Sequence, residues 1–256
     1  MARRISIFLF GLISYAIFLG VFLYAAAFMS NWLAPKSIDS GAPAELPLAL
    51  LGNLGLLGVF ALQHSVMARP GFKRWWTRLV PSEAERSVYV LASSVAMIAL
   101  FAFWQPLQGS VWRLEGDLAR GLAWAGMALG IATILYSTFL IDHFDLFGLR
   151  QSWLALRGRA YVPRPFATPG LYRYVRHPLY VGWFLFFWST PDMTLGHLLM
   201  ALGSSAYILV AIVFEERDLL LHFGADYRAW RARTPLFLPR FRAPRPEGPR
   251  GIGETA

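Results

Sequence analysis

Residues 5–29 read ISIFLFGLISYAIFLGVFLYAAAFM, an apolar run without one charged side chain. An α-helix rises about 1.5 Å per residue, so about 20 such residues cross the hydrocarbon core of a bilayer. Arg3 and Arg4 precede the run as basic residues precede a signal peptide, but the run is longer than the apolar core of a signal peptide. We therefore interpret it as a retained transmembrane helix, and the chain as an integral membrane protein.

The same apolar character continues along the chain. Of its 256 residues, 56% are hydrophobic and only 15% are charged, whereas soluble domains carry about 25% charged residues. Further apolar runs cover residues 46–66, 87–104, 118–141 and 179–214. Pro191 and Asp192 interrupt the last run, so we expect a helical hairpin whose first arm is tilted or only partly inserted. These runs predict an all-α, polytopic membrane protein with five to six transmembrane helices.

The positive charge lies between the apolar runs. The net charge is +9, and Lys and Arg cluster in residues 69–86, in residues 150–176 and at both termini. Cytoplasmic loops carry such an excess, so both termini are predicted to be cytoplasmic. Basic loops that face anionic lipid explain the charge more simply than a nucleic-acid partner. The chain has no cysteine, which excludes disulfides, thiolate metal sites and a cysteine nucleophile.

RHPLYVG at residues 176–182 has the composition of an anion-binding helix start. Pro178 suits the first turn of the helix that enters the last apolar run, which places Arg176 and His177 beside free backbone N–H groups. Such a helix N-terminus binds carboxylate or phosphate groups. Gly182, one turn further on, would allow a ligand to approach the helix closely. The alternative interpretation is a basic interfacial anchor.

Glu215 and Glu216 lie where the last apolar run ends. Acidic residues oppose the helix dipole at a helix C-terminus, and they are unusual on a basic membrane face. They are suited to neutralise a cation, which would be an arginine or the amine or sulfonium group of a ligand. The alternative interpretation is a solvated helix end.

Two further polar groups follow the second and fourth apolar runs. DHFD at residues 142–145, with Gln151 nearby, has a spacing that metal sites use, but no second cluster of His or Glu completes it. We therefore predict no metal site. Gln63 and His64 end the second run, where a histidine most often makes a helix-end hydrogen bond and less often belongs to a site.

The order of the C-terminal motifs resembles one protein family. The matching motifs, in chain order, are RHPLYVG at 176–182, the interrupted apolar run, EE at 215–216, FG at 223–224, Tyr227, Pro235 and Pro239. They resemble the isoprenylcysteine carboxyl methyltransferase-like membrane methyltransferases, which include phospholipid N-methyltransferases. The resemblance implies a cytoplasmic pocket for S-adenosylmethionine. The cofactor-binding residues that it implies are Tyr174, His177, Pro178, Tyr180, Gly182, Glu215, Glu216 and Tyr227.

The resemblance also divides the chain into three regions. Residues 1–141 are predicted to hold four transmembrane helices, and residues 142–239 a cytoplasmic loop, the membrane hairpin and the cofactor-binding region. Within the second region, Gly224 is a predicted helix stop, and Pro235 ends a short amphipathic helix. Residues 240–256 are rich in Pro, Gly and Arg and are predicted to be disordered.

Motifs in the first two thirds of the chain narrow the family. LQHSVMARP at 62–70, ERSVY at 85–89 and DHFDLFGLRQ at 142–151 resemble the bacterial methanethiol S-methyltransferase branch, and an NnrU-like group shares part of the pattern. This resemblance implies a small volatile thiol as substrate and a bacterial inner membrane as location. The substrate residues that it implies are Gln63, His64, Asp145 and Gln151. The catalytic residues that it implies are Arg176, His143 and Asp142.

The implied reaction transfers a methyl group from the sulfonium of S-adenosylmethionine to a thiol. A free thiol has a pKa of about 8.5 and reacts as the thiolate, so Arg176 would favour the thiolate, and His143 or His177 would take the proton. Methanethiol would give dimethyl sulfide, and hydrogen sulfide is a further possible acceptor. No covalent enzyme intermediate and no obligate protein partner are inferred.

Three alternatives stay open at this point. The wider family admits methylation of a prenylcysteine carboxylate or a phospholipid amine, which would need a lateral opening for a long chain. An NnrU-like protein without enzymatic activity, or a transporter, is the alternative of another class, although a transporter usually shows paired inverted repeats and none is visible. A reductase that uses NADPH is disfavoured because the sequence lacks a phosphate-binding glycine fingerprint.

Overall fold

The structure is a computed structural model, which describes residues 1–42, 44–107 and 109–239. In chain order its elements are α1 (Ala2–Ser30), α2 (Leu46–Ala68), α3 (Pro70–Trp76), α4 (Ser82–Phe103), β1 (Ser110–Arg113), α5 (Asp117–Leu140), α6 (His143–Leu146), α7 (Leu149–Leu156), a 3-10 helix (Gly170–Arg173), α8 (Pro178–Trp188), β2 (Asp192–Thr194) and α9 (Leu195–Arg233). The predicted all-α class is confirmed. The tail predicted at residues 240–256 lies outside the described residues.

Five of these helices are long and apolar enough to cross a membrane: α1, α2, α4, α5 and α9. α1, α2 and α5 coincide with the predicted spans, whereas α4 begins at Ser82, more than one turn earlier than predicted, and α9 continues to Arg233, well beyond the predicted end of its apolar run at residue 214. Glu83 and Glu85 lie in its first turn, and acidic side chains stabilise a helix N-terminus. The prediction of a polytopic membrane protein is confirmed.

The last apolar run forms a hairpin with unequal arms. α8 has 11 residues, or about 16 Å of helix, and is too short to cross a hydrocarbon core of about 30 Å. α9 has 39 residues and contains a break at Gly224, whose φ of 56° and ψ of −118° are not helical. The predicted helix stop is this break. The helix then resumes and ends at Arg233, before Pro235.

The helices run between two faces of the molecule. We call the face with residues 31–42, 44–45, 104–107, 109–116 and 189–194 the far face, and the face with both ends of the described chain the terminal face. On the far face, β1 and β2 pair antiparallel. This pairing was not predicted, because strands of four and three residues show no clear alternation and their partners are distant in sequence.

An acidic residue at the tip of the hairpin binds the arginines of the far face. Asp192 accepts two hydrogen bonds from Arg120, the shorter at 2.8 Å, and forms a 3.4 Å ion pair with Arg113. The hydrogen bond from Arg120 holds the pKa of Asp192 below its usual range. Arg113 and Arg120 therefore both have an acidic partner on the far face.

Glycines allow α5 and α8 to pack closely. A Cβ atom at Gly182 would lie 2.8 Å from the backbone nitrogen of Ile134 and 2.9 Å from the carbonyl oxygen of Gly130. Small residues at such a crossing let two membrane helices approach. The contact fixes α8 against α5, and it thereby fixes the position of His177, the residue that precedes α8.

Candidate active site

The first turn of α8 and the end of α9 meet on the terminal face. The backbone N–H groups of Arg176 and His177 donate to the carbonyl oxygens of Pro235 and Leu236, at 2.9 and 3.3 Å. The segment that follows α9 therefore lies against the start of α8. Pro178 occupies the first turn of α8, as predicted for a residue without an N–H group.

Glu216 is the centre of the charged cluster at this junction. Its Oε1 lies 3.2 Å from Nε2 of His177 and 3.0 Å from Nε of Arg176, the latter as an ion pair without the alignment of a hydrogen bond. Its Oε2 lies 3.0 Å from Nε of Arg231. The side chain of Glu216 is only 7% exposed, and a buried carboxylate requires such partners. Glu216 therefore holds His177 and both arginines in place.

Glu215 has a different environment from that of its neighbour. The hydroxyl of Tyr180 donates to its Oε2 at 2.6 Å, and Nδ1 of His177 lies 3.9 Å from the same oxygen. The side chain of Glu215 is 42% exposed. Of the two carboxylates, Glu215 is the one accessible to a cationic ligand.

An aromatic group packs behind the charged cluster. Tyr227 is fully buried, and its ring contacts those of Phe166 and Trp230. The indole N–H of Trp230 donates to the carbonyl oxygen of Tyr172 at 3.2 Å. The Tyr227 hydroxyl is buried without a hydrogen-bond partner among the described residues. An unpaired buried hydroxyl is costly, so the Tyr227 hydroxyl is suited to bind a ligand or a water molecule.

A cleft of about 590 Å³ adjoins the cluster. It combines a cationic end with an apolar wall along one face of α9, and its lining residues are Arg176, Leu209, Ile212, Val213, Glu216, Arg217, Leu220, Leu221, Arg228, Arg231 and Leu236. The volume suits a small organic ligand. The apolar wall lies on a segment that is long and apolar enough to cross the membrane.

Two predicted cofactor residues have a structural explanation of their own, and a third is exposed. Gly182 lies in the contact with α5, and Pro178 is almost fully buried at the helix start. Tyr174 is 61% exposed. Contact of these three residues with a cofactor stays a prediction.

His143 lies in a closed aromatic environment. Its Nε2 is 2.8 Å from the Tyr15 hydroxyl and its Nδ1 is 2.8 Å from Oγ1 of Thr138. The ring stacks on that of Phe139, with centroids 4.3 Å apart, and contacts that of Phe147. Burial lowers the pKa of His143. Both ring nitrogens are thus occupied, and the predicted catalytic role stays a prediction.

Asp142 and Asp145 organise the loop that follows α5. Asp142 caps α6 by accepting from the backbone N–H of Asp145 at 3.2 Å, and it forms a close ion pair with Arg164. Asp145 forms a 3.0 Å ion pair with Arg150. Gln151 donates to the carbonyl oxygen of Asp145. These contacts give the DHFD motif a structural function in the loop.

A second, larger cleft of about 980 Å³ lies beside this loop. Its residues include Asp145 and Gln151, and its charged lining consists of Arg3, Arg4, Lys73, Glu83, Glu85, Arg86, Asp145 and Arg159. The structure thus places Asp142, His143, Asp145 and Gln151 in a neighbourhood different from that of Glu216.

Gln63 and His64, by contrast, belong to a polar cluster that adjoins the Glu215 side of the junction. His64 contacts Tyr89 and Ser93. Tyr89 and Tyr207 both lie close enough to Tyr180 for electrostatic interaction. Since Tyr180 itself donates to Glu215, the cluster and the α8–α9 junction are neighbours.

Sequence reasoning missed several members of these clusters. Arg231 was placed on the amphipathic helix without a role, although its position four residues after Tyr227 puts both on one helix face. Tyr89, Ser93 and Tyr207 lie inside apolar runs, where a polar residue is itself a signal of function or buried pairing. Within the described residues, no group of three or more His, Asp or Glu side chains is placed to hold a metal ion.

The comparisons with known proteins agree with the sequence motifs. The chain is 49% identical over 260 residues to methanethiol S-methyltransferase 2 of Bradyrhizobium diazoefficiens, which covers 99% of each chain. It is 49% identical over 236 residues to the methanethiol S-methyltransferase of Crocosphaera subtropica, with 92% of each chain covered. It is 48% identical over 237 residues to that of Mycobacterium tuberculosis, with 93% of this chain and 97% of the relative covered. No protein-family model and no solved structure matches the chain. Identity of this extent over nearly the full length shows that the chain belongs to the methanethiol S-methyltransferase family.

Proposed function

We propose that this protein transfers a methyl group from S-adenosylmethionine to a small thiol, with methanethiol as the acceptor and dimethyl sulfide as the product. Family membership supports the reaction class. The observation that carries the site assignment is the junction of α8 and α9, where Glu216 joins His177 and two arginines beside the unpaired hydroxyl of Tyr227.

The residues of the junction fit the amino-acid end of S-adenosylmethionine. Arg231 contacts Glu216 through Nε, and a guanidinium has further N–H groups that suit a ligand carboxylate. The partly exposed Glu215 suits the amino group or the sulfonium. Tyr227 supplies a hydrogen-bonding hydroxyl. A zwitterionic ligand would thus meet opposite charges at both of its ends.

Glu216 has a positioning role in this proposal. Both of its oxygens are occupied by His177, Arg176 and Arg231, and it is almost fully buried. It therefore orders the groups around the ligand, while Glu215 contacts the ligand itself.

The bound cofactor supplies an electrophilic methyl group on a positively charged sulfur. The protein must hold the thiol in line with that methyl group, exclude water and accept the proton of the thiol. An anionic sulfur and a sulfonium combine to neutral products. A site without water destabilises the separated charges of the reactants, and this cost decreases as the charges neutralise in the transition state. A small apolar thiol reaches a site beside α9 through lipid, and a neutral thioether leaves by the same route.

The proposed location is the bacterial inner membrane, with the terminal face in the cytoplasm. Within the described residues, the Lys and Arg of the far face are Lys36, Arg113 and Arg120, and all others lie toward the terminal face. Cytoplasmic loops carry the excess of Lys and Arg. The cofactor, which is charged and water-soluble, would then enter from the cytoplasm. No obligate protein partner is required for this arrangement.

The test is headspace gas chromatography of cells that express the protein and receive methanethiol, beside Glu216→Ala and Arg78→Ala variants. Arg78 is exposed on the terminal face and lines neither of the two clefts. We expect dimethyl sulfide from the wild type and from Arg78→Ala, and none above background from Glu216→Ala. No dimethyl sulfide from correctly inserted wild-type protein would contradict thiol methylation, and prenylcysteine and phospholipid acceptors would then be assayed.

A further inference from the structure

A chain of three hydrogen bonds inside the bundle connects Tyr89, His64 and Ser93. The Ser93 hydroxyl donates to the carbonyl oxygen of Tyr89 at 2.9 Å, so its oxygen accepts from Nδ1–H of His64 at 3.1 Å. Nε2 of His64 then carries no hydrogen and accepts the Tyr89 hydroxyl at 2.7 Å. The network thus assigns a neutral imidazole with its proton on Nδ1.

The position of this group in the membrane calls for a function. His64 lies in α2 and Tyr89 in α4, both of which are long and apolar enough to cross the bilayer. Ionisable side chains are costly there and usually mark functional sites. The ring of Phe60 stacks on that of His64, with centroids 5.3 Å apart. Packing and hydrogen bonds therefore hold the imidazole in one orientation.

Tyr89 lies near Tyr180, whose hydroxyl donates to Glu215 at 2.6 Å. This places the group next to the proposed methyl-transfer site. The guanidinium carbon of Arg86 lies 4.9 Å from the centroid of the Tyr89 ring.

A second feature of the group is a buried acceptor that a ligand with a hydrogen-bond donor would satisfy. The amide nitrogen of Gln63 donates to Ser93 and to the sulfur of Met67, but its carbonyl oxygen is buried without a partner among the described residues. An unpaired buried acceptor is costly unless a ligand or water supplies a donor. The S–H group of a thiol is such a donor.

The same pattern of hydrogen bonds occurs at a second place in the protein, and the two groups can be compared. Tyr15, His143 and Thr138 form an equivalent chain, in which Thr138 donates to the carbonyl oxygen of Leu135 at 2.7 Å. That group is enclosed by the rings of Phe139 and two further phenylalanines. No guanidinium lies over its tyrosine ring within the described residues, whereas buried polar atoms without a partner occur near both chains, here on Ser137 and Gln151.

We propose that Tyr89 takes the proton of the thiol substrate while it passes its own proton to His64, which Ser93 positions. This inference rests on the proposed function. The S–H bond of the thiol breaks, and its electron pair stays on the sulfur. The oxygen of Tyr89 binds the thiol proton, and the original hydroxyl proton of Tyr89 moves to Nε2 of His64. The sulfur of the thiolate then forms a bond to the methyl carbon. The bond between that carbon and the sulfonium sulfur of S-adenosylmethionine breaks, and its electron pair stays on the sulfonium sulfur. After the neutral products leave, the proton on His64 returns through Tyr89 to water.

The experiment measures kcat/KM for methanethiol between pH 6 and pH 10 for Tyr89→Phe and His64→Gln, with S-adenosylmethionine binding as the control for folding. General-base catalysis contributes about 10² to 10⁴ in rate, so we expect a loss of at least about 100-fold at pH 7. The loss should shrink as the pH rises, because the solution then supplies the thiolate itself. The affinity for S-adenosylmethionine should stay within about threefold of the wild type.

Tyr15→Phe and His143→Gln test the rival base, because the family resemblance assigns proton removal to His143. If Tyr89 and His64 act as proposed, these two variants keep the shape of the wild-type pH profile. The proposal is overturned if the loss in Tyr89→Phe and His64→Gln is the same at every pH, or if His143→Gln shows the pH-dependent loss instead. A wild-type protein that binds the cofactor but methylates no thiol would refute the proposed function separately.

Discussion

Nε2 of His177 and Oε1 of Glu216 lie 3.2 Å apart, although 39 residues separate them in the chain. The contact joins the start of α8 to the end of the apolar part of α9, so the two arms of the hairpin close on the terminal face. Arg231 reaches the other oxygen of Glu216 from beyond the break at Gly224. Three separate parts of the C-terminal third thus depend on one carboxylate.

Replacement of Glu216 by glutamine should weaken cofactor binding while the helices stay inserted. Glutamine keeps the size of the side chain but removes the charge and replaces one carboxylate oxygen with an NH2 group, so Arg176 and Arg231 lose their common counter-ion. We expect the Kd for S-adenosylmethionine, measured by isothermal titration calorimetry in nanodiscs, to rise at least about tenfold, a loss of about 1.4 kcal/mol of binding free energy. Arg78→Gln, which changes an exposed arginine outside both clefts, should change the Kd less than threefold. Equal effects of the two variants would contradict the positioning role of Glu216.

Arg231→Lys tests whether the guanidinium shape matters as well as its charge. The guanidinium contacts Glu216 through Nε and has two further nitrogens that can donate to a ligand carboxylate. Lysine has one charged nitrogen, so it cannot make both contacts in the same way. We expect a weaker affinity for S-adenosylmethionine, by about fivefold or more, with little change in thermal stability, because the side chain is 42% exposed. An unchanged affinity would show that Arg231 serves only the structure of the helix.

Tyr227→Phe separates ligand binding from stability. The hydroxyl is buried without a partner among the described residues, so its removal takes no hydrogen bond from the unliganded protein. We expect the thermal stability without cofactor to be equal or slightly higher, and the affinity for S-adenosylmethionine to fall about three- to tenfold. Thermal unfolding with and without cofactor measures both. A variant that loses stability but keeps its affinity would show that the hydroxyl does not contact the ligand.

The absence of cysteine from the whole chain makes the proposed orientation directly measurable. Ala42 lies on the far face and Arg159 on the terminal face, and both are exposed. In spheroplasts, a membrane-impermeant maleimide should label Ala42→Cys at once and Arg159→Cys only after permeabilisation. The reverse pattern would place the cofactor cleft outside the cytoplasm and contradict the proposed topology.

The sequence predicted the membrane helices well because long apolar runs are a local property. It also predicted the residues of the α8–α9 junction, since RHPLYVG and the paired glutamates are short motifs with a recognisable order. Partners of these residues were harder to predict. Arg231 reaches Glu216 only because the backbone breaks at Gly224, and a composition argument does not give the direction of the chain after a break.

Residues that pair across the bundle escaped prediction for a related reason. Tyr89 contacts His64 across two helices, and such a contact depends on helix rotation, which a sequence without distinct amphipathic faces does not define. The same holds for His143. Its motif has the spacing of a metal site, but the structure satisfies both ring nitrogens with Tyr15 and Thr138.

Gly182 provides a final test, since the sequence motif assigns it to the cofactor and the structure gives it a role in packing. A Cβ atom there would lie 2.8 Å from the backbone nitrogen of Ile134, and backbone cannot move aside cheaply, so Gly182→Ala should separate α5 and α8. We expect a loss of about 1–3 kcal/mol in stability, measured as a lower thermal midpoint in nanodiscs without cofactor.

The matched control is Gly55→Ala, in α2, where nothing lies within 4 Å of the added atom. Glycine within a helix is less stable than alanine by about 0.5–1 kcal/mol, so this variant should keep or raise the thermal midpoint. Gly130→Ala, on the opposite side of the α5–α8 contact, should repeat the loss seen for Gly182→Ala, because its added atom would lie 2.6 Å from the backbone nitrogen of Phe186. If Gly182→Ala keeps its stability but loses cofactor affinity, the motif assignment is right and close packing is not the reason for glycine at this position.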